Sequence, residues 1–187
     1  MDQPPQVSGN AGVLAGSSAN ADEDVSVPKT FSIGEMRPPP VISPTRMPTE
    51  FSIRRRVQFA ETDMAGIMHF ANYFRMMEEV EHAFFRSLNL SVAMVHESLA
   101  IGWPRVSAGC EFFGPLRFED EVELHMRVTK VGEKSFNYEV DFLLEGRRIA
   151  LGKMTSVCCE MLGNGMRSIP IPEGIRQKLE ADPPQPD

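Results

Sequence analysis

Eight consecutive positions, Asp63 to Phe70, hold the groups best suited to chemistry on a carbonyl. At the ordinary aspartate pKa of about 3.9, the Asp63 carboxylate is ionised at neutral pH. Such a group either attacks a carbonyl carbon directly or takes a proton from a water that does so. A helix starting near His69 or Phe70 leaves backbone N–H groups without internal acceptors, and its dipole favours negative charge there. That end can polarise a carbonyl and hold the oxyanion that grows on it. A plainer meaning of Asp63 stays open, because an aspartate ahead of a glycine also makes an Asx turn. Gly66 allows a positive φ or a close approach of substrate to backbone, or is an ordinary loop residue. His69 either hydrogen-bonds a substrate or fills space at the helix start against a neighbouring subunit.

The elements that must position these residues are read from hydrophobic spacing. Phe51, Ile53, Val57 and Phe59 alternate with Ser52, Arg54, Arg56 and Gln58, which predicts a half-buried strand. Phe70, Tyr73, Phe74, Met77, Val80, Phe84 and Leu88 then recur at helical intervals, with Asn89 as a stop. Arg75 with Glu79 and Glu78 with His82 stand at i,i+4 on that helix, and the two glutamates rank behind Asp63 as candidate catalytic carboxylates. Ser91 to Ser98 is expected to form a short second helix. Arg105 to Phe113, the alternating run from Val122 to Val128 and that from Phe136 to Leu144 predict strands, with hairpin turns at Gly132-Glu133 and Glu145-Gly146. A long final strand is expected over Arg148 to Met161, apolar or small on both faces. One strand, one apolar helix and about four antiparallel strands make an α+β domain whose sheet curves round the helix. The sheet edge left over is expected to pair with a second subunit.

Composition narrows the function classes. The chain has 187 residues, 26 acidic against 19 basic side chains and no long basic block, which argues against general nucleic-acid binding. No run of apolar residues is long enough to span a membrane, and no secretory leader is apparent. The three cysteines, Cys110, Cys158 and Cys159, lack the spacing of a metal site or disulfide framework, which fits a reducing cytoplasm. The histidines form no HExxH-type pair, so neither a metal nor an organic cofactor is expected. Residues 1–48 are rich in Gly, Pro and Ser and read as a disordered extension, 49–182 as the folded domain and 183–187 as a tail.

The string Phe59-Ala-Glu-Thr-Asp63-Met-Ala-Gly66-Ile-Met-His69-Phe70-Ala-Asn72-Tyr73 resembles the 4-hydroxybenzoyl-CoA thioesterase and YbgC-like branch of the hot-dog superfamily. The matching positions are Asp63, Gly66, Ile67-Met68 and Asn72-Tyr73, and a weaker likeness runs from residue 51 to 180. The resemblance implies a hot-dog fold and hydrolysis of an acyl-coenzyme A or acyl-carrier-protein thioester, with coenzyme A belonging to the substrate. It implies Asp63 as the catalytic carboxylate, the Phe70 backbone N–H as the oxyanion donor, and Gly66, His69 and Tyr73 as substrate contacts. It also implies a homodimer or homotetramer with its site between protomers. Two positions depart from the pattern. Phe59 stands where relatives often carry Tyr, and Phe70 where they often carry His, so side-chain acid catalysis at those places is in doubt. The same departures motivate an alternative, a module of this fold that binds acyl thioesters without turning them over.

Overall fold

The computed structural model describes residues 49–181. The expected N-terminal extension and the short C-terminal tail lie outside the described residues. The chain runs β1 (Glu50–Arg56), a 3-10 turn (Phe59–Glu61), α1 (Ala71–Ser87), β2 (Ala93–His96), β3 (Leu99–Gly102) and β4 (Arg105–Phe112). It continues through β5 (Glu121–Val131), β6 (Ser135–Leu144), β7 (Arg147–Val157), β8 (Cys159–Leu162), β9 (Gly165–Ser168) and α2 (Glu173–Glu180). Five strands form an antiparallel sheet in the order β1-β5-β6-β7-β4, and β2-β3-β8-β9 form a second, four-stranded sheet.

The large sheet and α1 share one core, the hot-dog arrangement. Tyr73, Met76, Met77, Val80, Phe84 and Phe85 are buried along one stripe of α1, as their three- and four-residue spacing requires. Against them the strands present Phe51, Leu124, Met126, Phe136, Tyr138, Val140 and Phe142, all buried. Each such side chain contributes roughly 1.5–3 kcal/mol by leaving water. On β7 the residues paired with Phe142 and Val140 are Ala150 and Gly152. A Cβ on Gly152 would run into Met77, so the small residue there lets the helix lie close to the sheet. Asn89, at φ +54°, turns the chain out of α1, as its place after the periodic run suggested.

Three expectations are corrected. Residues 93–96 form a strand, because Glu97 and Ser98 both take positive φ (46° and 72°) and fold β2 back on β3 as a two-residue hairpin. Neither residue is Gly or Asn, so no usual turn signal marked it. The long final strand divides at Cys158, whose N–H donates to the Lys134 carbonyl while its own carbonyl accepts from Ile169. From there the chain leaves the large sheet, and Cys159 pairs with Gly102 in the small one. Phe59 leaves the buried face, because the side chain of Glu61 caps the Gln58 N–H and winds residues 59–61 into the 3-10 turn, leaving Phe59 75% exposed.

Candidate active site

Between the 3-10 turn and α1 the backbone makes a tight hairpin. The Asp63 N–H donates to the Ile67 carbonyl (3.0 Å), the Gly66 N–H to the Asp63 carbonyl (2.9 Å) and the His69 N–H to the Glu61 carbonyl (2.9 Å), with Thr62 bridged to Met68. Gly66 closes the turn at φ +69° with nothing within 4 Å of a Cβ placed on it. Within the chain, what calls for glycine there is the positive φ and not crowding by a neighbour. The Met68 N–H reaches the Leu116 carbonyl (2.7 Å), and buried Met68 pins the hairpin to the core.

Asp63 lies on the exposed side of this turn. Its Oδ1 accepts from the Ala65 N–H at 2.8 Å, which is the Asx turn considered from the sequence. Among the described residues its Oδ2 has no partner, so one carboxylate oxygen is fixed and the other is open. At the helix start, Ala71 N–H donates to His69 Nδ1 (3.3 Å), Asn72 N–H to the His69 carbonyl (2.9 Å) and Tyr73 N–H to the Phe70 carbonyl (3.3 Å). The Phe70 N–H, between them, has no acceptor among the described residues. Phe70 itself has helical dihedrals and receives no side-chain cap. An open carboxylate oxygen and an open amide thus occur on one exposed segment, the first able to act as base or nucleophile, the second to hold an oxyanion.

The other site residues expected from the sequence fall in different places. His69 is exposed, with its ring 4.5 Å from that of Phe70. Tyr73 is buried, its ring set edge-on to Phe112 at 4.8 Å and tilted against Phe142. Burial, followed by the neighbouring Cys110, pushes its phenol up to about 12, so it stays protonated. Burial likewise pushes the Cys110 thiol up to about 12, which removes it as a nucleophile. Around the hairpin Phe59, Met64, Phe70 and Phe118 are exposed, with Phe59 edge-on to Phe118 at 5.7 Å. Among the described residues no three His, Cys, Asp or Glu side chains come together as a metal cage would require.

The helix carboxylates have other partners. Glu78 lies 3.8 Å from His82, the spacing read from the sequence, and 3.5 Å from Arg105. Glu79 bonds Arg55 (2.5 Å). Sequence reasoning missed Glu81, which is fully buried and held by Arg105 and by Ser156 Oγ at 3.3 Å. Its signal was present, because Glu81 stands four residues from both Met77 and Phe85 on the buried stripe. Arg55 and Glu61 were missed too, and nothing in their spacing announces them.

The thioesterase-like superfamily model matches residues 57–179, which takes in the hairpin, α1 and every strand of the large sheet but β1. A protein of Aquifex aeolicus (strain VF5), provisionally named an esterase, is 32% identical over 130 residues, covering 70% of this chain and 98% of its own. A 1,4-dihydroxy-2-naphthoyl-CoA hydrolase of Synechococcus sp. (strain WH7803) is 27% identical, covering 69% of this chain and 88% of its own. The solved structure of a gentisyl-coenzyme A thioesterase superposes with a TM-score of 0.61 at 33% identity, over 68% of this chain and 98% of that one.

Proposed function

The chain belongs to the thioesterase-like superfamily, and from that premise we propose that it hydrolyses an acyl-coenzyme A thioester at Asp63. The observation that carries this reading is the pairing of an open Asp63 oxygen with an open Phe70 N–H on one short hairpin and helix start. In the reaction, Asp63 either takes the proton of a water that attacks the thioester carbon or attacks that carbon itself, giving an anhydride that water then opens. The carbonyl oxygen, now negative, lies against the Phe70 N–H and the positive end of α1. Collapse expels the coenzyme A thiolate and leaves the free acid when water has attacked, or the anhydride when Asp63 has, which water then opens to the free acid and the Asp63 carboxylate. These steps need no metal and no organic cofactor, and they proceed without side-chain acids at Phe59 and Phe70. In this reading Gly66 and His69 contact the acyl thioester, while Tyr73 is buried against Phe112 and Phe142.

An aromatic acyl group suits the exposed rings of Phe59, Phe118 and Phe70, and the relatives' named substrates, gentisyl and dihydroxynaphthoyl thioesters, are aromatic. The site is open on one protomer, and the β4 edge, which is free among the described residues, offers a way for a second copy to cover it. The test is thiol release from a panel of aromatic and aliphatic acyl-coenzyme A and acyl-carrier-protein thioesters. Asp63→Asn is expected to lower kcat by about 10²- to 10⁴-fold, the usual contribution of a positioned base. Equal rates in the variant and the parent would sink the assignment. Tight binding of acyl-coenzyme A by the parent without turnover would favour the binding-module alternative.

A further inference from the structure

We propose that Arg55 is a positioning residue, which acts through Glu61 to hold the Asp63 hairpin in register with the Phe70 end of α1. The inference rests on the hydrolytic reading above and extends it to residues that need not touch the substrate. Arg55, on β1, donates from Nη1 (2.7 Å) and Nη2 (2.5 Å) to the two carboxylate oxygens of Glu61, a bidentate fork. The same guanidinium reaches Glu79, two turns into α1, through Nε (2.5 Å) and Nη2 (3.1 Å). Arg55 therefore ties three elements together: the strand, the turn that leads into Asp63, and the helix.

Glu61 carries the constraint onward by its backbone. Its carbonyl accepts both the His69 N–H (2.9 Å) and the side-chain amide of Asn72 (2.8 Å), and Asn72 is itself buried. A second contact at its carboxylate, from the Gln58 N–H at 2.8 Å, fixes the turn's entry. One residue, two before Asp63, thus grips β1 with its side chain and holds with its carbonyl the N–H of His69, the residue before Phe70. The side chains of Arg55 and Glu61 are only 19% and 13% exposed, so the pair is shielded more than an ordinary surface ion pair. Without Arg55, the Glu61 carboxylate would be left partly buried without its partner and would turn toward water, carrying its leg of the hairpin with it. The distance between the open Asp63 oxygen and the Phe70 N–H would then no longer be fixed.

Steady-state kinetics on Arg55→Met, Arg55→Lys, Glu61→Gln and the Arg55→Met/Glu61→Gln double variant test this, beside the parent and Asp63→Asn. Misplacement of reacting groups by about 1 Å costs on the order of 10²-fold, so Arg55→Met is expected to lower kcat by about 10- to 100-fold. KM should change far less than kcat, since substrate contacts remain. Arg55→Lys, which keeps the charge but not the fork, should recover part of the loss, and the double variant should be no worse than the poorer single one. Thermal unfolding of each variant identifies those that are folded, and the volume-conserving Arg55→Lys and Glu61→Gln keep the test open if Arg55→Met does not fold. Parental kcat in folded Arg55→Met and Glu61→Gln, or a loss confined to KM, would overturn the positioning role. If Asp63→Asn is inactive while these variants are not, the positioning role alone fails. If Asp63→Asn equals the parent, the hydrolytic reading fails and takes the positioning role with it.

Discussion

Asp63 and Gly66 have to be understood together, because the Asx turn uses one oxygen of the side chain and the proposed chemistry calls on the other. The Ala65 N–H holds Oδ1 in place, which removes rotamer freedom from the group and leaves Oδ2 aimed outward at no entropic cost during reaction. The turn works only while Gly66 keeps φ +69°. Gly66→Ala meets no atom but must take a left-handed conformation that costs a residue with a Cβ about 1–2 kcal/mol. Its denaturation midpoint is expected to drop accordingly, with Gly66→Asn falling less, and equal midpoints for Gly66 and Ala would contradict the conformational account. Glu61 supplies a pH signature at the same scale. Burial pulls its carboxyl up, but hydrogen bonds from Arg55 and Gln58 outweigh burial and hold it below the ordinary value of 4.5. A depressed folded value means that the stabilisation is complete above the unfolded pKa and is lost as pH falls through the folded one. The stability difference between parent and Glu61→Gln should therefore be constant above about pH 5, near the ordinary glutamate range, and narrow below it. A difference that widened on acidification would reverse the sign and exclude the Arg55 contact as its source.

The elements differ in how far short-range pattern decides them. α1 was legible because seven apolar residues from Phe70 to Leu88 keep helical spacing, and β5 and β6 because theirs alternate. Asp63, Gly66 and Phe70 stood out as a candidate site only through the resemblance of the whole string to a known family, since each alone is an ordinary loop or helix-start residue. What was hidden depends on contacts far along the chain or on backbone angles that composition does not reveal. The β2–β3 hairpin turns on Glu97 and Ser98 at positive φ, and Phe59 is turned outward by a Glu61 cap. Arg55 and Glu79 lie 24 residues apart and meet only once β1 and α1 are packed. Gly152 belongs to the same class, as part of a strand that reads as small and apolar but whose missing Cβ matters only under Met77. Gly152→Ala forces Met77 to move in a filled core, and such overpacking costs about 1–3 kcal/mol. Pairing it with Met77→Ala should recover part of that loss in equilibrium unfolding, a coupling that independent sites would not show.

At the scale of the whole molecule the large sheet ends on β4, which pairs with β7 on one side and has no strand on the other among the described residues. Val106 on that strand is 64% exposed and Phe112 is 40% exposed, so a pairing-competent edge also carries apolar surface. Soluble proteins rarely leave such an edge open, because its unpaired N–H and C=O groups template another strand. β4 also leads toward the candidate site, since Phe112 packs on Tyr73 in the first turn of α1. A two-fold pairing of β4 with its copy would continue the sheet across both protomers, and a site lying between protomers would use the second copy to cover the exposed Phe59, Met64 and Phe70. Sedimentation of the purified chain should then give a dimer or a multiple of it at micromolar concentration. Val106→Lys with Gly109→Lys places two charges on the edge and is expected to yield monomers with unchanged secondary structure by circular dichroism. Those monomers should lose thiol-releasing activity at concentrations where the parent keeps it, and regain part of it as concentration rises. A parental chain that sediments as a monomer while hydrolysing thioesters at full rate would show that the exposed aromatic residues around Asp63 need no second copy to cover them.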